Sequence, residues 1–456
     1  IKRHPLASVF TPSTTAKLAF VARTHIQSDL IKSLSIPGKQ IVLYGHSGGG
    51  KTTLLTRALE TMRQPAISSS CTIDTTVDQL IANAFDQLNA FYEDSHSTSS
   101  THSKERTISS TLKAKFAEIA GSFKESQSNT NSTSSKKAVP IQLTAQRLAE
   151  FMGAAGSIWI IEDFHKVPET EKKKLAQILK VFMDMASTYS TVRIVCVGAV
   201  GTARELLAYD AELSNRISEI QVPLFSLPEL SELVEKGSKL LNVHLPDDVK
   251  EKTVYYSNHL AAVCHQLCYD MCYNRDVTLS RLWRVAMTNK DFNGAVTSYV
   301  KSNSDTFDKI LDKAFRQRGG RYENSKTILK AFVESDHEDL TSTELYGFIK
   351  QSHKKYPRGN LSAYLKRLTT PEYFEVLRYD RNAGKYSFSN PFLSAYAKMK
   401  FALDRHKSQK KDLSLSPDPS YIDAEFIEIY IKLLEERSRR IIHELPASMR
   451  RELEAG

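Results

Sequence analysis

Residues 39–53 read KQIVLYGHSGGGKTT and decide how the first half of this chain folds. The apolar run at 39–44 predicts a buried strand, and apolar residues at helical spacing over 52–62 predict a helix. Between them, residues 45–52 match the pattern G-x-x-x-x-G-K-[ST] in full. Glycines here let backbone N–H groups turn inward, and the helix N-terminus adds a positive dipole, so the stretch predicts a cradle for phosphate groups. A glycine turn that binds nothing is the alternative.

The pattern assigns a role to individual side chains. Lys51 is expected to reach the β- and γ-phosphates of ATP, and the Thr52 hydroxyl is expected to bind Mg²⁺. His46 is interpreted as a residue that lines the loop and not as a catalyst. The predicted nucleotide-binding residues are Gly45, His46, Ser47, Gly48, Gly49, Gly50, Lys51, Thr52 and Thr53.

Such a site also needs acids at the end of an apolar strand, because the metal needs a carboxylate and the attacking water needs a base. Residues 158–163 read IWIIED and supply two acids. By position Glu162 is predicted to face the metal and Asp163 to activate the water, the reverse of the usual Asp-Glu order. Because Glu is longer than Asp, we expect its metal contact to run through water and hydrolysis to be slow. Two surface acids after a buried strand are the alternative.

An arginine completes the predicted catalytic set. It would stabilise the charge that develops during transfer of the γ-phosphoryl group, and in oligomeric ATPases it often comes from a neighbouring subunit. Arg216 lies in the stretch LSNRI at 213–217, directly before a predicted fifth strand, and is the candidate. A surface arginine without this role is the alternative. The predicted catalytic residues are therefore Lys51, Glu162, Asp163 and Arg216.

Composition excludes several classes of protein. The 456 residues are too many for one ordinary core, and 41% apolar with 25% charged residues is typical of globular and not of disordered chains. No apolar stretch approaches the roughly 18–20 residues that span a bilayer, and no signal-peptide core follows the N-terminus. We therefore expect a cytoplasmic protein with no membrane partner. The first residue, Ile1, is not methionine, which leaves room for an upstream effector segment.

The cysteines do not look like a disulfide framework. Three of the five, Cys264, Cys268 and Cys272, recur every four residues and so share one helix face. A metal or redox site is one interpretation of this spacing. Core packing is the interpretation that we prefer, because a buried free cysteine packs as a small hydrophobe.

Strands and helices alternate over the first 222 residues, which predicts an α/β fold with a parallel sheet covered by helices. Predicted strands lie at 39–44, 66–70, 158–161, 193–197 and 217–222, and predicted helices at 52–62, 77–92, 170–186 and 201–209. Residues 94–138 are a predicted mobile insertion in this domain, because their Ser/Thr/Asn-rich ends cannot bury enough apolar surface. Within the insertion, residues 112–123 predict an amphipathic helix that packs on its own domain or docks a partner.

Only helices are predicted next, at 227–241, 247–256, 260–273 and 278–288, so residues 223–300 form a predicted helical lid domain. Residues 301–405 form a predicted winged-helix-like domain. Its helices are expected at 307–316, 325–334, 342–352 and 360–368, and its strands at 373–379 and 385–388 around the turn DRNAG. Residues 406–456 are predicted to be a charged linker and a C-terminal helix at about 421–443.

In that order, the glycine loop, the acid-ended strand, Arg216, the lid and the winged unit resemble the AAA+ and STAND groups of P-loop ATPases. The resemblance covers about residues 8–400 and implies an ASCE-type five-stranded parallel sheet. It is strongest to prokaryotic STAND-type ATPases, which implies ATP-driven release of autoinhibition, a homo-oligomer, a separate effector protein and a role in defence against phage. Residues 195–200 end the fourth strand without the polar sensor of many AAA+ proteins, with Thr202 as the nearest substitute, and residues 258–261 lack a lid arginine. These departures favour a switch over a motor.

The winged unit also resembles that of origin-recognition and initiator ATPases, where it binds DNA. Its basic residues, together with a formal net charge of +10 for the chain, would suit phosphate contacts. In STAND proteins the same unit touches no DNA, and a solvated basic face is a further alternative. The basic residues concerned are Lys350, Lys354, Lys355, Arg358, Lys366 and Arg367.

Three functional hypotheses follow. The first is an ATP-hydrolysing switch that changes conformation or oligomeric state with the nucleotide. The second is a DNA-binding initiator or transposition-type AAA+ ATPase that uses its winged helix. The third is a structural scaffold with a relic ATP site.

Overall fold

The computed structural model describes residues 3–88, 143–199, 213, 215–316, 323–335 and 337–412, with side chains to residue 405. The chain divides into two compact units, residues 22–224 and residues 1–21 together with 225 onward. The N-terminal residues 3–21 thus belong to the second unit and not to the α/β domain in which the sequence analysis placed them.

The first unit is built on a five-stranded parallel sheet, as predicted. Its strands are β1 (Gln40–Tyr44), β2 (Ala66–Ser70), β3 (Ile158–Glu162), β4 (Arg193–Gly198) and β5 (Ile217–Gln221), in the order β2-β3-β4-β1-β5. Its helices are α2 (Thr24–Ser35), α3 (Lys51–Met62), α4 (Val77–Gln87), α5 (Ala145–Ala154) and α6 (Glu169–Met185). β4 separates β1 from β3, and parallel pairing brings the carboxyl ends of all five strands to one edge.

Both faces of the sheet are buried, which explains why its strands are almost continuously apolar. Successive residues of β1 point to opposite faces: Ile41 and Leu43 pack with α2 and α3, whereas Val42 packs with α4, α5 and α6. Trp159 and Ile160 divide β3 in the same way. The two clusters form one core on each side of the sheet.

The second unit is mainly helical. Its first part contains α1 (Leu6–Val9), α7 (Leu227–Leu241), α8 (Asp247–Tyr256), α9 (Ala261–Asn274) and the short strands β6 (Val243–His244) and β7 (Val285–Ala286). α10 (Asn289–Phe315) then runs without a break across residue 300, where the sequence analysis placed a domain boundary. The stretch after Lys301 is polar, and the helix continues through it because Phe307 and Leu311 are buried in the following turns.

The helix predicted at 278–288 is wrong. The N–H groups of this segment bond to other parts of the unit instead of to their own preceding turn: Ser280 N donates to His4 O, Arg281 N to Leu241 O and Met287 N to His244 O. β7 forms in the segment and pairs with β6. Apolar spacing alone mimicked a helix that tertiary hydrogen bonds replace.

The winged unit is present. It contains α11 (Asn324–Ser335), β8 (Asp339–Thr341), α12 (Ser342–Ser352), α13 (Arg358–Leu368), β9 (Leu377–Asp380), β10 (Lys385–Phe388) and α14 (Pro391–Asp412), with sheet order β8-β10-β9. Asp380 Oδ1 accepts bonds from Asn382 N and Ala383 N, and Gly384 closes the turn at φ 67°. β9 starts later than predicted because Phe374 and Glu375 have positive φ, and α14 was not predicted.

Several predicted features lie outside the described residues: the insertion and its amphipathic helix, the helix at 201–209 with Thr202, and the C-terminal helix at 421–443. All five cysteines are buried and unbridged, which fits core packing. Within the described ranges, no group of three or more metal-ligating side chains occurs. Among the same residues, no helix combines the length and the apolar character needed to span a bilayer.

Candidate nucleotide-binding site

The phosphate loop connects β1 to α3 and has a backbone that requires glycine. An added Cβ on Gly45, whose φ is 153°, would lie 2.2 Å from the carbonyl oxygen of Val222, just beyond β5. Gly48 and Gly50 have φ of 78° and 81°, a left-handed conformation that side chains disfavour. The loop is therefore packed tightly against the end of β5 and turns sharply before α3, as a phosphate cradle needs.

The Lys51 side chain folds over this loop. Its Nζ donates to Gly45 O at 3.0 Å and to His46 O at 2.8 Å. Burial lowers the pKa of Lys51 from its ordinary value, and the nearby Asp163 carboxylate opposes that shift. The ammonium thus sits inside the turn, close to a carboxylate from β3. The neighbouring Thr52 is exposed at the first turn of α3, where its hydroxyl is accessible to a ligand.

The two acids lie where the sequence analysis placed them, at the carboxyl end of β3. Glu162 Oε1 accepts a hydrogen bond from Ser68 Oγ of β2 at 3.1 Å. Asp163 has a left-handed backbone with φ 57°, and its Oδ2 accepts from Lys166 Nζ at 2.7 Å. About half of the Asp163 side chain is exposed. The structure thus brings both acids to the sheet edge that carries the phosphate loop.

A cysteine also lies at this edge, directly after β2. Cys71 N donates to Glu162 O at 2.9 Å, and its thiol is buried. Burial, with a smaller contribution from Asp163, raises the pKa of Cys71 to about 12. The thiol therefore stays protonated and is a packing group and not a nucleophile.

Arg216 lies at the opposite edge of the sheet, because it precedes β5 whereas the phosphate loop follows β1. Its Nη1 pairs with Asp184 Oδ1 at 3.2 Å, and both side chains are exposed. The five residues of β5 separate it from the loop edge by about 16 Å. Arg216 therefore does not reach the phosphate loop of its own chain. The predicted catalytic role would require Arg216 to reach the phosphate loop of a neighbouring subunit.

Arg23 has no role in the sequence predictions, yet its side chain bonds to the phosphate loop. This side chain is 5% exposed and donates to Gly49 O at 3.2 Å, to Pro223 O at 2.8 Å and to Leu224 O at 3.0 Å. One guanidinium thus ties the phosphate loop to the segment after β5. A single arginine before α2 has no periodic signal, so local sequence patterns do not reveal it.

Comparison with known proteins supports the fold and goes no further. No protein-family model matches the chain, and no curated protein matches it. A Walker-type ATPase of Pyrococcus abyssi is similar in structure, with a TM-score of 0.50 and 17% identity over 84% of this chain and 98% of that one. Cdc6p of Pyrobaculum aerophilum has a TM-score of 0.42 and 13% identity over 88% of this chain and 98% of that one. The ORC1 protein of Aeropyrum pernix, in complex with DNA, has a TM-score of 0.39 and 14% identity over 88% and 97%.

The first of these likenesses establishes the fold of a P-loop ATPase. The predicted fold class, a five-stranded parallel sheet followed by helices and a winged-helix unit, is confirmed. At these identities the likenesses carry no residue role and no ligand.

Proposed function

We propose that this chain binds ATP with Mg²⁺, hydrolyses the β–γ phosphoanhydride slowly, and works as a nucleotide-operated switch of the AAA+/STAND type. The observation that supports this most directly is the tight glycine turn after β1 with the Lys51 ammonium folded inside it. The carbonyls of Gly45 and His46 hold that ammonium where the oxygens of a triphosphate would compete for it.

Binding would use the loop amides and Lys51 together. The N–H groups at the start of α3 have no partner in their own helix and carry the positive end of its dipole, so they suit an anion. Lys51 would exchange its two carbonyl partners for phosphate oxygens, which accept charge-assisted bonds. Because the exchange replaces neutral acceptors with charged ones, it favours the bound state.

The residues that would hold Mg²⁺ are Thr52 and Glu162. A hydroxyl and a carboxylate are the oxygen donors that this hard cation prefers, and Mg²⁺ neutralises charge on the phosphate oxygens when bound. Ser68 positions the Glu162 carboxylate by donating to Oε1, which leaves Oε2 for the cation or for one of its water ligands.

Asp163 would act as the base for the attacking water. The water oxygen forms a bond to the γ-phosphorus, the bond to the β–γ bridging oxygen breaks, and the water proton passes to the carboxylate. Lys166 Nζ occupies Oδ2 of this carboxylate, so the ion pair must open or rotate before that oxygen can take the proton. This contact supports slow turnover, as a switch requires.

Arg23 offers a route by which the nucleotide site can affect the rest of the chain. It bonds to Gly49 in the phosphate loop and to Leu224, the last residue of the first unit. A shift of the loop between nucleotide states would therefore reach Leu224, the residue directly before the chain enters the second unit. A switch would need this contact to take a different arrangement in each nucleotide state.

Binding of a fluorescent ATP analogue to Lys51→Ala protein tests the site. We expect affinity to fall about 10- to 100-fold with Mg²⁺ present, because a charge-assisted contact is lost. The matched control is Lys173→Ala, an exposed lysine on α6, which should bind as the wild type does. Unchanged affinity in the Lys51 variant would refute the proposed site.

Mass measurement by light scattering with ADP and with a non-hydrolysable ATP analogue tests the switch. We expect mass or hydrodynamic radius to differ between the two nucleotides in the wild type and not in Lys51→Ala. Identical behaviour with both nucleotides, together with normal ATP binding, would leave an ATP site without a switch and would favour the scaffold hypothesis.

DNA binding through the winged unit is the second candidate function. On the solvent side of α13, Arg358 and Lys366 flank the small exposed residues Gly359, Ser362 and Ala363. A small and basic helix face suits the major groove, where backbone phosphates lie on both sides. Arg358 also stands over the ring of Tyr346, whose other cationic neighbour is Lys350.

Arg367, one of the basic residues predicted to contact DNA, has a structural role instead. Arg367 stands 4.0 Å from the ring centroid of Tyr373 and donates to Arg316 O, so it supports the fold of the winged unit. The DNA test therefore uses Arg358→Glu with Lys366→Glu, and Lys290→Glu on α10 as the control for charge. Anisotropy with a duplex should show affinity that falls with salt and is lost only in the double variant. No binding at low salt would discard this candidate.

The homo-oligomer, the separate effector protein, the defence role and the cytoplasmic location remain predictions. They rest on the STAND resemblance and on composition. The nucleotide-dependent mass measurement tests the first of them directly.

A further inference from the structure

An exposed aromatic loop precedes α10. Trp283 is 84% exposed and Leu282 is 65% exposed, whereas tryptophan is on average a highly buried residue. Arg281 and Arg284 flank the pair, so residues 281–284 read RLWR. We call these four residues the RLWR loop. Tryptophan and arginine are the residues that dominate binding hot spots between proteins.

Hydrogen bonds and buried neighbours hold the backbone of the RLWR loop in place. Asn242, in a left-handed conformation at the end of α7, donates from Nδ2 to Arg281 O and to Leu282 O, both at 3.1 Å. Val277 and Met287 anchor the segment on either side, at 0% and 1% exposure. Because backbone and anchors are already ordered, binding through the two exposed side chains would cost little further entropy.

A cavity of complementary character lies at the other end of α10. It has a volume of about 230 Å³, below the roughly 300–1,000 Å³ of small-molecule pockets, so it suits one large side chain. Phe315 and Phe401 line it with ring centroids 6.2 Å apart. The carboxylates that line it are Asp308, Asp312, Glu323 and Asp404.

The charge of this acidic aromatic cavity is opposite to that of the RLWR loop. Two lysines also line it: Lys400 pairs with Asp308 at 3.1 Å and Lys326 with Glu323 at 3.3 Å. Among the described residues that line the cavity, four carboxylates and two lysines give a net charge of −2. A tryptophan flanked by two arginines would therefore find aromatic walls for its ring and carboxylates for its flanks.

The two surfaces of one chain do not meet. Trp283 is exposed, and α10 separates Asn289 from Leu311 by about 33 Å at 1.5 Å per residue. The residues from Trp283 to Asn289 span at most about 20 Å even when fully extended. The RLWR loop therefore cannot enter the cavity of its own chain, but it is free to enter the same cavity of a second copy of the chain.

We propose that the RLWR loop of one copy of this chain inserts Trp283 into the acidic aromatic cavity of a second copy. The contact is head-to-tail, because different surfaces of the two copies meet, and it repeats to give a ring or an open chain of subunits. Both surfaces belong to the second unit and contain no residue of the predicted nucleotide site, so the contact can be tested without nucleotide. One loop in one cavity makes a small interface, which implies weak and concentration-dependent association.

Sedimentation velocity of the full chain without nucleotide, from about 1 to 300 µM, tests the contact. We expect the wild type to self-associate, and Trp283→Ser and Asp312→Lys each to weaken association at least about 30-fold, the size of a hot-spot loss. The controls are Phe374→Ser, an aromatic elsewhere that is 56% exposed, and Asp305→Lys, an exposed acid of α10 outside the cavity. Both controls should associate as the wild type does.

Mixing the two defective variants distinguishes a head-to-tail contact from any other. Trp283→Ser retains an intact cavity and Asp312→Lys retains an intact loop, so an equimolar mixture should form dimers and nothing larger. A mixture that stays monomeric, or a Trp283→Ser protein that associates normally, would overturn the proposal. A third outcome would also overturn the proposal. In it the wild type stays monomeric, and duplex DNA or anionic vesicles protect Trp283 from acrylamide quenching. The RLWR loop would then bind another partner.

Discussion

Replacing Arg23 with alanine is the most direct test of how the phosphate loop is held. The guanidinium is buried and donates to three backbone carbonyls at 2.8–3.2 Å, those of Gly49, Pro223 and Leu224. A hydrogen bond to a charged group contributes about 1.5–3 kcal/mol, and water entering the vacated space restores part of the loss. We expect Arg23→Ala to cost the first unit about 3–6 kcal/mol.

The Arg23→Ala substitution should lower the thermal stability of the first unit and also loosen the phosphate loop locally. For a unit of this size, 1 kcal/mol corresponds to roughly 2–4 °C, so the unfolding temperature of the first unit should fall by about 6–24 °C. Hydrogen exchange should also increase at residues 45–53, because the loop loses its attachment to the segment after β5. Arg23→Lys should be intermediate, since one ammonium cannot reach three carbonyls with the planar geometry of a guanidinium.

Arg57→Ala is the matched control. Arg57 lies on the surface of α3, where its Nη1 pairs with Glu60 Oε2 at 2.8 Å, so we expect a change within about 1 kcal/mol. The reasoning would be refuted if Arg23→Ala unfolded within 2 °C of the wild type, by this estimate under about 1 kcal/mol, with unchanged exchange at residues 45–53. In that case water would satisfy the three carbonyl oxygens as well as the Arg23 guanidinium does.

Three further predictions concern single sites. Gly45→Ala should destabilise the loop by about 2 kcal/mol or more and weaken ATP binding, because its Cβ would lie 2.2 Å from Val222 O; normal thermal unfolding would contradict this. Gly237→Ala should cost about 1–3 kcal/mol, because its Cβ would lie 2.3 Å from the Phe10 ring, and adding Phe10→Leu should restore part of the loss in a denaturation cycle. Burial lowers the pKa of His265 to about 4, so its contribution to stability is present above pH 6.5 and is lost as pH falls toward 4, by up to about 1.4 kcal/mol per pH unit. His265→Gln should remove that slope from denaturation curves measured between pH 7 and 4.5, and an unchanged slope would show that the imidazole is hydrated.

Local patterns predicted the elements whose stability is itself local. α7 was predicted with its observed bounds because Ser226 and Glu229 form a capping box around an amphipathic period. The strand β10 was predicted because a glycine turn follows Asp380 and apolar residues resume beyond it. The phosphate loop was predicted because its glycines, its lysine and its flanking elements are contiguous in sequence.

Prediction failed where contacts distant in sequence override the local pattern. Residues 278–288 have helical apolar spacing, but bonds to His4, Leu241 and His244 hold them in another conformation. A domain boundary was predicted in the polar middle of α10, but the helix continues across it and packs against α14 beyond it, as between Phe307 and Tyr396. A window of ten or fifteen residues contains no information about those partners.

By itself, the sequence determined that this chain has a phosphate loop, a parallel sheet buried on both faces and two acids at the end of a strand, because each follows from neighbours in the chain and from the period of apolar residues. The tertiary structure alone decided that Arg216 lies at the edge opposite the loop, that Arg23 ties the loop to Leu224, and that Trp283 stands in solvent. These features depend on strand order and on packing between segments as far as 201 residues apart, which the free energy of the whole fold determines.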